Sequence, residues 1–259
     1  NHIGYIVDRD FLTVTGINHQ VAHLLQKYLR ELMGEIEAAC RKLEIEIMGG
    51  HTEISNVVNQ PVVTVTGVGK VKKEKLVSTG GLQVGDDLVL TKWAGLEGTA
   101  IIAAQKREKL LETLPEELVD TAADFYQYLS VVPEAKIAVE TGVSAMHDVT
   151  EGGIFGALWE IGAAADLGIS ADLTKIPIRQ ETIEVCEVFG INPYQMMSSG
   201  SMLIGCAKGN LLVDRLKESG IPAAVIGRAT DSNDRVITNG EEIRFLEPAG
   251  SDELYKIYE

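Results

Sequence analysis

The chain has 259 residues and carries 23 Lys and Arg against 38 Asp and Glu, a formal charge of −15. That balance repels nucleic-acid backbones and anionic lipid surfaces, so bulk binding to nucleic acid or membrane is not expected, although one positive patch or a bound divalent ion still admits a nucleotide. Apolar residues at 45% and charged ones at 24% describe an ordinary globular protein, and no apolar run reaches the roughly 18–20 residues of a membrane span.

In chain order, Val21, Leu25, Leu29, Leu32, Ile36 and Cys40 recur at helical spacing and predict an amphipathic helix over 21–43. Residues 5–16 read as one strand ahead of it. Alternation in Glu44-Ile45-Glu46-Ile47-Met48 predicts a short strand ending at Gly49-Gly50, and Val62 to Val68 predicts another. The basic, then glycine-rich stretch 70–81 marks a boundary, so one domain is expected over 1–75 and a second over 82–259. Beyond it, strands are expected at 87–91, 143–146, 169–173, 202–206 and 223–226. Helices are expected near 99–111, from a first turn at Pro115 through Phe125, Tyr126 and Tyr128, from Pro133 to Gly142, and over 151–165, 178–189 and 210–219. Asn239-Gly240 predicts a two-residue hairpin. The three cysteines, Cys40, Cys186 and Cys206, lack CxxC spacing, which points to reduced thiols, a cytoplasmic setting and no zinc site.

Three glycine-rich turns carry the candidate chemistry. In Met146-His147-Asp148-Val149-Thr150-Glu151-Gly152-Gly153, Thr150 suits a helix N-cap, and Gly152 and Gly153 would let a phosphate approach free backbone N–H groups. Asp148, just ahead of that helix, offers a hard oxygen ligand for Mg²⁺. The same string also reads as a plain cap whose glycines permit close packing. Gly49-Gly50-His51-Thr52-Glu53 places glycines able to take left-handed backbone, then three polar groups, at the end of an expected strand; a capped turn with a solvated Glu is the other reading. In Thr91-Lys92-Trp93-Ala94-Gly95-Leu96-Glu97-Gly98, Lys92 either neutralises phosphate charge or is a surface lysine. No Gly-Lys-Ser/Thr occurs there, so a Walker-type NTPase is not expected. Ser198-Ser199-Gly200-Ser201 is a fourth small-residue turn.

Taken in order, IMGGHTE (47–53), LTKWAGLEGTAI (90–101), MHDVTEGGIFGALWEI (146–161), IPIRQETIEVCEVFGINP (176–193) and SSGSMLIG (198–205) resemble the aminoimidazole-ribonucleotide (AIR) synthetase superfamily, on the side of its HypE-like branch. The resemblance implies a two-domain, mixed α/β fold with a truncated or incompletely represented amino-terminal domain and an α/β-sandwich carboxyl-terminal domain. It also implies a homodimer binding ATP and Mg²⁺, which activates a small carbonyl- or amide-containing substrate by phosphoryl transfer, with a maturation partner protein as a further expectation. Asp148 and Lys92 are then expected to be catalytic. Gly49, Gly50, His51, Thr52, Glu53, Thr150, Gly152 and Gly153 are expected near the nucleotide, with Asp148 and Glu53 on the metal.

Four departures accompany the resemblance. Tyr258 stands where HypE has its tail cysteine, and a phenol cannot carry a thiocarbamate, so carbamoyl dehydration in cis is not expected. Ser199-Gly200 replaces a Glu-Gly, and Glu151 replaces a cation beside the presumed phosphate site. Only 48 residues precede Gly49, fewer than the family's amino-terminal domain supplies, so either the gene is cut down or segments of that domain are omitted from the sequence and the rest joined, the second being expected. The chain also begins at Asn1 rather than Met, so its true amino terminus is expected upstream. A non-catalytic, dimeric nucleotide-binding or assembly module is the alternative to an enzyme.

Overall fold

A computed structural model describes residues 19–53 and 61–258, and the chain divides between Gly69 and Lys70 into two compact units. The strand expected over 5–16 lies outside the described residues. In the first unit α1 spans His19–Lys42 and ends on Arg41 and Lys42, cations suited to the carbonyl end of a helix dipole. The runs 44–48 and 62–68, expected as strands, form none. A β-run obtains its hydrogen bonds only from a neighbour, and neither run is paired among the described residues.

The second unit is built on one seven-stranded sheet: β1 (Asp87–Thr91), β2 (Ala145–Asp148), β3 (Gly168–Asp172), β4 (Met202–Cys206), β5 (Ala223–Thr230), β6 (Arg235–Asn239) and β7 (Glu242–Phe245). Their order in space is β2-β4-β1-β5-β3-β6-β7. Every neighbouring pair is antiparallel except β3 with β6. Helices α2 (Leu96–Gln105), α3 (Arg107–Leu110), α4 (Glu116–Ala123), α5 (Val132–Thr141), α6 (Gly153–Ala165), α7 (Gln180–Phe189) and α8 (Gly209–Glu218) surround it.

Period-two alternation decides which helices cover which face. Leu88 and Leu90 of β1 and Leu203 of β4 pack with Ile154, Leu158 and Ile161 of α6. Val89, Met202, Ile204 and Cys206 point the other way, onto Ala138 of α5 and Leu212 and Leu216 of α8. Both faces are therefore buried, which makes a sandwich of helix, sheet and helix. A separate helical cluster joins α2, α3, α4 and α7 through Ile102, Leu110, Val119 and Val185, and Leu254 near the carboxyl end completes it.

Several boundaries differ from expectation for local reasons. Helix α2 begins at Leu96, earlier than expected, because Gly95 takes φ 68° as its N-cap, and it ends where Lys106 turns to φ −116°. Pro115 is the N-cap of α4 rather than a first-turn residue, and Phe125 and Tyr128 lie in the 3-10 turn Asp124–Tyr128 beyond it. Asn239 pairs with Glu242, so the hairpin loop is Gly240-Glu241, one residue later than expected, with Gly240 supplying the positive φ of 62°.

Candidate functional site

Strands β1 and β2 both run antiparallel to β4, which lies between them. The carboxyl ends of β1 and β2 and the amino end of β4 therefore meet at one rim, and three of the glycine- and serine-rich turns come together there. Thr91 Oγ1 accepts the N–H of Met202 at 3.0 Å. Ser201 Oγ donates to Trp93 O at 2.8 Å, and Val149 N donates to Ser201 O at 3.1 Å. Ser198 Oγ accepts the Gly95 N–H at 2.7 Å while donating to Met196 O at 2.8 Å. Ser198 and Ser201 are fully buried, so their hydroxyls hold the turns to each other.

Asp148 closes β2 opposite Met202, and it is exposed. Its neighbour His147 is fixed from two sides, with Nδ1 3.2 Å from Thr79 Oγ1 and Nε2 2.8 Å from Glu160 Oε2. Among the described residues no group of three His, Cys, Asp or Glu converges as a metal site. A lone exposed carboxylate still fits Mg²⁺, which commonly takes one or two carboxylates and completes its shell with phosphate oxygens and water.

The phosphate cradle expected at Thr150, Gly152 and Gly153 is not what the backbone forms. The N-cap of α6 is Gly152 at φ 80°, without a side-chain cap, so Thr150 does not cap it. Gly152 N donates to Asp252 Oδ2 at 2.8 Å, and Gly153 N donates to Thr150 O at 3.1 Å. A Cβ on Gly152 would lie 2.7 Å from the Cβ of Ala249, and one on Gly153 2.6 Å from Tyr194 O and 2.7 Å from Met196 O. The glycines are required by close packing, and a carboxylate of the chain itself sits at the helix start.

Lys92 departs from expectation as well. Its side chain is 7% exposed, and its Nζ lies 2.6 Å from Glu134 Oε1. The same amine donates to Tyr128 O at 2.7 Å and to Ser130 O and Gly200 O, each at 2.8 Å. A buried ammonium with its donors spent cannot also neutralise a phosphate.

Gly49, Gly50, His51, Thr52 and Glu53 lie in the first unit, in exposed irregular chain. Neither glycine has a positive φ, so left-handed backbone is not the reason for them.

Arg179 and Asp252 escaped the sequence reading. The guanidinium of Arg179 lies 5.0 Å from the Trp93 ring centroid and 5.6 Å from that of Phe125. It binds both carboxylate oxygens of Glu181, at 2.7 and 3.0 Å, which holds Glu181 below the usual carboxylate range. The Arg179-Gln180-Glu181 string inside the quoted 176–193 motif was the available signal. Asp252 lies in a polar tail that gives none. That tail is docked: Tyr255 Oη donates to Glu151 Oε1 at 3.2 Å, and Tyr258 Oη bonds Gln105. A surface recess of about 530 Å³ lies beside Gln105, Lys106, Arg107 and Glu112, away from the rim.

A family model described as AIR synthase related protein, C-terminal domain, matches residues 83–239, and its N-terminal counterpart matches residues 11–71. Carbamoyl dehydratase HypE of Rhodobacter capsulatus is 28% identical over 212 residues, 80% of this chain and 59% of its own length. The chain spans about three fifths of the length of such curated relatives. The crystal structure of E. coli HypE superposes with a TM-score of 0.58 at 23% identity, covering 70% of this chain and 55% of that one. A HypE solved in complex with ATP gives 0.55 at 16% identity, covering 71% and 57%. At these identities the solved structures speak to the fold. Among the described residues no helix is long and apolar enough to cross a membrane.

Proposed function

Because the chain belongs to the AIR synthase related family, in which both of its domains have a match, we propose that it binds Mg²⁺–ATP and activates a small carbonyl- or amide-containing substrate by phosphoryl transfer. The observation that carries this reading is the exposed carboxylate of Asp148 at the rim where the three turns converge. Phosphoryl transfer needs positioning and charge neutralisation more than covalent chemistry from the protein. A carboxylate that anchors the metal, on turns locked by buried serines, supplies positioning. Since the start of α6 is already occupied by Asp252, the metal rather than the helix amides is assigned the phosphate charge. Glu53, with Gly49, Gly50, His51 and Thr52, is a separate candidate ligand set on the first unit. The ATP-bound HypE supports the choice of nucleotide. A homodimer and a maturation partner protein belong to the same proposal.

The test is titration calorimetry of the full-length protein with Mg²⁺–ATP. Asp148→Ala is expected to weaken binding at least tenfold, and Glu53→Gln tests the first unit separately. Absence of binding to the intact protein would overturn the reading. One observation favours a second reading, a nucleotide-binding or assembly module without turnover: the carboxylate of Asp252 and the docked tail close the start of α6. Tight binding with no ADP formed over hours would select it. Carbamoyl dehydration in cis is left out of both readings, because Tyr258 supplies no thiol.

A further inference from the structure

The environment of Lys92 is that of a bound cation. Its Nζ is surrounded by four oxygens: the carbonyls of Tyr128, Ser130 and Gly200 at 2.7 to 2.8 Å, and Glu134 Oε1 at 2.6 Å. An ammonium has three protons, and three carbonyls take them. The Glu134 carboxylate is 1% exposed, and its Oε1 lies 2.6 Å from that ammonium. It is the counter-ion of a caged positive centre. Three neutral carbonyls and one carboxylate around a compact point charge suit a monovalent cation.

The backbone is arranged to deliver that charge. Lys92 takes φ 53°, left-handed backbone that a side-chain-bearing residue adopts only where its surroundings impose it. Gly200 has φ 101°, and a Cβ there would lie 2.7 Å from Tyr128 O. Glycine at 200 is thus what allows two of the cage carbonyls to approach each other. The cage joins the end of β1, the 128–130 loop, the first turn of α5 and the 198–201 turn. Ser201, next to Gly200, accepts the N–H of Val149 beside Asp148.

We propose that Lys92 is a tethered monovalent cation: its ammonium fills a cage of three carbonyls and the Glu134 carboxylate, and so positions the turns that carry the candidate site. The ligand class of this cage is a potassium- or ammonium-sized monovalent ion, supplied in the native chain by the lysine itself. Arginine is not equivalent, since a planar fork cannot match three converging carbonyls and a carboxylate around one point.

The experiment removes the tether and offers a free ion. Lys92→Met is melted without nucleotide in lithium, potassium or ammonium chloride at equal ionic strength. In lithium, too small to span the cage, it is expected to melt roughly 10 °C below the wild type, as for a broken buried pair. Potassium or ammonium is expected to restore a substantial part of that loss saturably, with the wild type indifferent to the cation. Lys92→Met combined with Glu134→Gln is expected to show no rescue. Equal melting of Lys92→Met in all three salts overturns the proposal. Should Lys92→Met not fold, Glu134→Gln alone decides: a lower melting temperature supports the cage, and an unchanged or higher one overturns it. These readouts involve no nucleotide, so their failure is distinct from failure of the ATP reading.

Discussion

Asp252 and Gly152 are joined by a 2.8 Å hydrogen bond in which the buried carboxylate accepts the backbone N–H at the start of α6, while its other oxygen accepts the N–H of Leu254 at 2.8 Å. One side chain thus satisfies a helix-end donor, complements the helix dipole and fastens the carboxyl-terminal segment to the domain.

Replacing Asp252 with Ala leaves the Gly152 N–H buried without an acceptor. Urea denaturation is expected to show a loss of about 1–3 kcal/mol. Amide exchange read by mass spectrometry should quicken over 253–258 while the centre of α6 keeps its protection. Unchanged exchange in the tail would refute the fastening role.

Gly153 and Gly142 both take positive φ, 62° and 83°, but only Gly153 would press a Cβ against backbone. Gly142→Ala is expected to cost about 1–2 kcal/mol, from the left-handed backbone alone. Gly153→Ala adds overpacking and is expected to cost about 2–4 kcal/mol. Equal losses in the two variants would show that packing against 194–196 is not what requires glycine there.

Acid should uncouple Arg179 from Glu181. The hydrogen bond from Arg179 is the main cause that lowers the Glu181 pKa below 4.5, its ordinary value. A carboxylate lowered in the folded state contributes stability above its unfolded pKa and loses that contribution as pH falls through the folded one. Arg179 also stacks on Trp93, so Trp93 emission in a Trp159→Phe background reports the event. Emission is expected to hold steady down to about pH 5, just above the ordinary carboxylate range, and to change at lower pH. Glu181→Gln should already show the altered emission at neutral pH, with no acid step.

The cysteines should differ sharply in reactivity. Burial, with a smaller push from Glu253, raises the Cys186 thiol to about 12. Burial raises Cys206 too, whereas Cys40 is half-buried on α1. Iodoacetamide at mildly alkaline pH is expected to label Cys40 first, and Cys186 and Cys206 only on unfolding. Early labelling of Cys186 would contradict its burial.

What could be read from the chain follows the range of the interactions involved. Strands β1 and β4 were legible residue by residue, because each is a short apolar run bounded by polar or glycine-rich chain. The end of α5 was legible because Gly142 must take φ 83°. The turns of the rim were legible as turns, yet their roles depended on distant partners. Lys92 read as a phosphate ligand because nothing local reveals Glu134 or the Tyr128, Ser130 and Gly200 carbonyls. Gly152 and Gly153 read as a cradle because Ala249 and the 194–196 backbone are remote in sequence. The runs 44–48 and 62–68 carry strand character, but a strand is completed by its neighbour.

Strand β4 has all five residues buried, with Leu203 committed to one face and Met202, Ile204 and Cys206 to the other. A single inserted residue would exchange those commitments along its whole length. It would also slide Ser201 away from Trp93 and Val149, and Gly200 away from Lys92. A change of reading distance within this strand would therefore dismantle core and rim in the same stroke.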